Sequence, residues 1–86
     1  MDNTKFYLKA DELRENRLRA VCRTIEDIII RRNLNGDKHV WVREDTFSDF
    51  SHELFEKMLV ENGFLVSYRT EKVCFTDEKI MVIEWD

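Results

Sequence analysis

A chain of 86 residues is one domain, residues 1–86, and it buries only about 60–65% of its unfolded surface, so stability is thin and dimerisation is a natural supplement. With 43% apolar and 37% charged residues, no proline and two glycines, the composition excludes a disordered chain and long low-complexity linkers. The net charge of −4 divides into +3 over residues 1–43 and −7 over residues 44–86, a split that favours head-to-tail contacts or a basic partner and argues against wholesale nucleic-acid binding.

Residues 1–10 read either as an extended arm or as the first helical turns, with "KFYLK" fitting both. A helix starts between Thr4 and Asp11, either of which can cap, and ends near Asn33. Leu18, Val21, Cys22, Ile25, Ile28 and Ile29 recur at helical spacing and form its apolar stripe. On the other side, Glu15–Arg19, Arg23–Asp27 and Asp27–Arg31 are i,i+4 pairs of opposite sign. Asn35-Gly36 supplies the left-handed position that a helix terminus wants.

"DKHVWVRE" alternates Val40 and Val42 with His39, Trp41 and Arg43, the pattern of a half-buried strand. "DTFSDFSHELFEKMLVENG" is a second helix with its entry. Phe47 or Phe50 acts as a staple, Ser48, Asp49 or Ser51 as the cap, and Asn62-Gly63 as the stop. Phe50, Leu54, Phe55, Met58 and Leu59 make its stripe. A second strand runs from Phe64 to about Arg69. Residues 70–79 read as a loop or an extended hairpin arm with "TDEK" as the turn, and Ile80 to Trp85 is the third strand.

The order is α-β-α-β-β. A helix joins the first two strands, so they can run parallel, whereas the last two must be antiparallel. The third strand is the most continuously apolar and belongs in the middle. The expected fold is therefore α+β: a three-stranded mixed sheet in order 1-3-2, with two helices on one face and order 1-2-3 as the alternative. Val40, Val42, Phe64, Val66, Tyr68, Met81, Ile83 and Trp85 should face the helices, and Trp85→Ala should cost about 3–5 kcal/mol as a core truncation. The opposite face carries His39, Trp41, Arg43, Leu65, Ser67, Arg69, Ile80, Val82 and Glu84.

Several of these residues also carry a resemblance. Ile25, Ile28 and Ile29, Gly36, Val40 and Val42, Ser51, Leu59, Gly63, Phe64 and Val66, then Met81, Ile83 and Trp85 form a pattern over about residues 18–86. It resembles that of small uncharacterised proteins of tailed phages and prophages, departing from it by Phe64 for a usual tyrosine and Met81 for a usual isoleucine. The resemblance implies a viral accessory or virion protein with an α+β fold. It carries over no catalytic residue.

No catalytic or cofactor signature stands in the chain. Cys22, His39, His52 and Cys74 lack the short spacings of a zinc site, and Cys22 falls on an apolar stripe. Ser51 and His52 are adjacent on a helix and do not face each other. Glu44, Asp45, Asp49, Glu53 and Glu56 crowd the second helix and its entry, where the helix dipole favours acid. There is no P-loop and no dinucleotide fingerprint. Arg14, Arg17, Arg19, Arg23, Arg31 and Arg32 make the first helix basic, but Glu12, Glu15, Glu26 and Asp27 interleave with them.

The expectation is thus a non-enzymatic protein without cofactor or metal, cytoplasmic (host cytoplasm if phage-encoded) because no signal peptide or membrane span is read, with free thiols. Its expected partner is a protein or a second copy, bound through Trp41, Arg43, Leu65, Arg69, Ile80 and Val82 on the helix-free face. The competing reading buries Trp41 beneath the N-terminal "KFYL". The acidic second helix is a second candidate surface. An inhibitor of a host or defence protein is the most concrete function. A self-associating virion or assembly component and a nucleic-acid-associated regulator are the alternatives.

Overall fold

The computed structural model describes residues 9–47 and 49–85. Helix α1 spans Ala10–Leu34, strand β1 His39–Arg43, a 3₁₀ turn Glu44–Phe47, helix α2 His52–Glu61, strand β2 Leu65–Val73 and strand β3 Thr76–Glu84. The start of α1 falls inside the predicted window, with Lys9 rather than Asp11 at the cap position and without a side-chain hydrogen bond; Thr4, the other predicted cap, lies outside the described residues. "KFYL" lies outside the described residues.

Both helices end on the same device. At α1, Gly36 N–H donates to Asn33 and Asp37 N–H to Arg32; at α2, Gly63 N–H donates to Val60 and Phe64 N–H to Leu59, all at 3.0 Å. These are Schellman closures, and they need a residue with positive φ just past each helix. Gly36 and Gly63 supply it at φ 90° and 89°. At the other end of α2, Ser51 is the cap, its Oγ accepting from Leu54 N–H at 3.2 Å. Ser51→Ala should destabilise by about 1 kcal/mol in urea denaturation, with Ser51→Asp close to wild type.

The sheet order is β1-β3-β2, as the apolar run Ile80–Ile83 predicts for a central strand. The predicted mixed pairing is corrected: β3 pairs antiparallel with both neighbours. β1 and β2 do run in the same direction, but β3 lies between them and they never meet. Two antiparallel ladders follow from that order.

Of the two readings of residues 70–79, a loop or an extended hairpin arm, the structure shows the arm, with its turn earlier than "TDEK". β2 and β3 stay paired from Leu65↔Glu84 to Val73↔Thr76. The turn is therefore Cys74-Phe75, and "TDEK" is the first stretch of β3. Both turn residues have positive φ, 48° and 67°. A two-residue hairpin turn of this kind prefers Asn-Gly, because a side chain in the left-handed region costs of order 1 kcal/mol. Residues 44–47 form a short 3₁₀ turn that carries Phe47 under the sheet.

One face of the sheet packs on the helices. Val40, Val42, Met81 and Ile83 join Ile25 of α1, Phe55 of α2, and Phe47 and Phe50 of the connection. Phe64, Val66, Tyr68 and Trp85 pack around this cluster, as predicted. Trp85 is half-buried rather than fully enclosed; its ring lies 6.4 Å from that of Phe64 and its Nε1–H donates to Asn33 Oδ1 at 3.0 Å. Trp85→Ala should therefore fall at the low end of the core-truncation range, about 3 kcal/mol, and Trp85→Phe, which loses the tie to α1, about 1 kcal/mol. Thermal unfolding of the two variants checks the ratio.

The charges of α1 reach across the fold rather than along the helix. Arg17 Nη1 donates to both oxygens of Asp49, at 3.0 and 3.2 Å, and the Arg14 and Arg17 guanidinium groups lie over the Phe50 ring. Among the described residues the ion pairs within 4 Å are Arg17–Asp49, Arg32–Asp37, Arg43–Glu78 and Arg69–Glu71; the i,i+4 pairs expected on α1 are not among them.

Candidate protein-binding face

The register assigns the other face of the sheet row by row. Across β1, β3 and β2 the rows read His39–Glu84–Leu65, Trp41–Val82–Ser67 and Arg43–Ile80–Arg69. Alternation puts all three rows on the side away from the helices. All six residues predicted for a protein-binding surface therefore share one face.

They divide into two layers. Ile80 and Val82, on the central strand, are buried at 5% and 8% exposure, although neither belongs to the helix-side core. Trp41, Arg43, Leu65 and Arg69 are exposed, Trp41 at 46% and Leu65 at 69%. Ile80 and Val82 thus form the floor, and the flanking strands present the surface. The cover of that floor is visible. The Arg69 guanidinium lies 4.1 Å from the centre of the Trp41 ring. Arg69 and Trp41 stand on opposite sides of β3, one row apart, so this stack spans the central strand diagonally. Ser67 is too small to obstruct it. Arg43 Nη2 donates to Glu78 Oε2 at 3.2 Å beside Ile80, and Arg69 also pairs with Glu71 at 3.1 Å.

The stack fixes Trp41. A tryptophan on an open sheet loses rotamer freedom when it binds; here Arg69 has already restricted it. A shallow hollow of about 560 Å³ lies over Ser67, bounded by Trp41, Arg69 and Glu84. Its shape suits a side chain or loop from a partner better than an enclosed small molecule.

Chemistry elsewhere is sparse. Burial, then the Glu26 carboxylate, pushes the Cys22 thiol above its ordinary range, away from the thiolate that a nucleophile needs. Tyr68 is also raised, first by burial and then by Glu56 and Glu53, so it remains a neutral phenol. No three His, Cys, Asp or Glu side chains among the described residues converge as a metal site. No helix among them is long and apolar enough to cross a membrane.

Two features escaped the sequence reading. An apolar groove of about 430 Å³ opens between α1 and α2, lined by Cys22, Ile29, Ile30, Met58, Leu59 and Phe64 among others. The helical stripes assign most of these residues to a closed core; only the three-dimensional spacing of the helices shows the gap. The second is the hairpin tip, where Phe75 is 98% exposed. Its only sequence signal is an aromatic residue between two alternating runs.

No protein-family model, curated protein or solved structure matches this chain.

Proposed function

We propose that this protein is a non-enzymatic phage or prophage accessory protein that acts in the cytoplasm by binding another protein, most concretely as an inhibitor or modulator of a host or defence protein. The observation that carries the reading is Trp41, nearly half exposed on a helix-free sheet face and held in place by Arg69. Tryptophan and arginine are the side chains most enriched at binding hot spots, and a fixed, partly desolvated pair of them loses little entropy on contact. The phage setting rests on the sequence pattern from Ile25 to Trp85 alone.

The test is paired affinity capture from the native host. Wild-type and Trp41→Ala baits are compared side by side, and any retained protein is then purified and titrated against both. A protein held by wild type and lost by Trp41→Ala supports the reading. A protein held equally by both places the contact elsewhere.

A further inference from the structure

An exposed aromatic hairpin tip and an apolar groove between the helices stand at opposite ends of the molecule. β1 pairs with β3 only from Ile80 to Glu84, so residues 70–79 project beyond the sheet as a two-stranded ribbon. At its end stand Cys74 and Phe75, both in the left-handed region where Asn-Gly would sit without strain. The chain thus holds a strained turn whose effect is to present a phenyl ring at 98% exposure, with Val73 beside it at 36%. Nothing in the fold benefits from that placement: Phe75 belongs neither to the core cluster nor to its partly buried surround. Strain held at an exposed aromatic is a mark of function rather than of packing.

The groove is the complementary feature. Phe64 lines it and directly precedes β2, so it sits by the start of β2 while Phe75 sits past the end. Nine strand residues separate the two, roughly 30 Å. The tip therefore cannot reach the groove of its own chain. A cavity of about 150 Å³ admits a benzene ring; the groove, at about 430 Å³, has room for the Phe75 ring and for Val73 next to it. Its outer wall includes Ile30, which stands 54% exposed and unpaired with any core residue.

We infer that a second copy of this chain occupies the groove: the Phe75 tip of one molecule inserts between α1 and α2 of the next. A knob and a hole on distant parts of one surface make a head-to-tail contact, which propagates into rings or filaments rather than stopping at a two-fold dimer. Each joint buries little more than one aromatic anchor, so association is concentration-dependent and reversible. The contact does not involve Trp41, so it stands or falls independently of the sheet-face reading.

The experiment is sedimentation velocity on the full chain from micromolar to millimolar concentration. The mass of wild type should rise with concentration past that of a dimer. Phe75→Asp and Ile30→Glu, both changes at exposed positions, should each weaken association about thirtyfold or more, as loss of a hot spot does. Mixing is the decisive step. Phe75→Asp keeps an intact groove and Ile30→Glu an intact tip, so the mixture should form one-to-one pairs and nothing longer. The double variant Cys74→Asn, Phe75→Gly should raise the melting temperature while abolishing growth. A wild-type chain that stays monomeric at millimolar concentration overturns the inference. So does unchanged association of Phe75→Asp, or a mixture in which folded variants, verified by circular dichroism, form no pairs.

Discussion

Phe47→Ala is expected to remove about 3–5 kcal/mol of stability, the loss of a fully buried aromatic side chain. Phe47 is 1% exposed, and it reaches that position from a 3₁₀ turn rather than from a regular helix or strand. Its ring meets His52 edge-on at 4.8 Å and Phe55 at 5.0 Å, while Phe50 meets Phe55 edge-on at 6.2 Å. Removing Phe47 therefore leaves a cavity beneath β1 and also unsupports the first turn of α2, which a single Ser51 cap holds. Relaxation cannot fill the gap, because Val42, Met81 and Ile83 are fixed by the central ladder. For a domain whose total stability lies at about 5–15 kcal/mol, and where each kcal/mol moves the melting temperature by about 4–8 °C, the variant should melt about 12–40 °C lower. Phe47→Leu should recover more than half of the loss. A melting temperature within a few degrees of wild type would show that the turn is not part of the cooperative core.

Much of this core is legible in the sequence because its signals are redundant. Period-2 and period-3.6 patterns assign Val40, Val42, Ile25 and Phe55 to one interior, and each is buried. The two Asn-Gly pairs announce both helix ends because no other residue meets the positive φ so readily. The central position of β3 follows from its unbroken apolar run. The misread parts have physical causes. The helical connection between β1 and β2 suggests a mixed sheet, but it fixes only their relative direction and not whether they touch. Polarity marks most turns and so points to "TDEK", whereas Cys74-Phe75 carries conformational strain that no propensity rule expects. The binding face was legible only as a list. Alternation puts Trp41, Arg43, Leu65, Arg69, Ile80 and Val82 on one side, but the division into buried floor and exposed surface depends on the diagonal reach of Arg69 over β3. The groove between α1 and α2 was hidden for the opposite reason: apolar stripes say which sides of two helices turn inward, not whether those sides close on each other.

Trp41→Ala should leave the fold intact and weaken partner binding by about 2 kcal/mol or more, close to thirtyfold. The two halves of that statement come from different surfaces of one ring. The inner part flanks Val82, its cross-strand neighbour, and its loss should expose part of the floor at a stability cost of about 1 kcal/mol. The outer surface is the 46% still accessible, and it is what a partner would bury. Arg69→Ala separates anchoring from contact. It keeps the indole but removes the guanidinium stacked 4.1 Å from it, so Trp41 regains rotamer freedom and binding should weaken by less than for Trp41→Ala. If Arg69 acts by positioning Trp41, the double variant should bind no worse than Trp41→Ala alone, and the coupling energy of the cycle should equal most of the Arg69→Ala effect. Additive losses would make Arg69 an independent contact. Should Trp41→Ala instead abolish the thermal transition, the tryptophan is a structural lid over Ile80 and Val82, and the sheet face would lose its claim to be an interface.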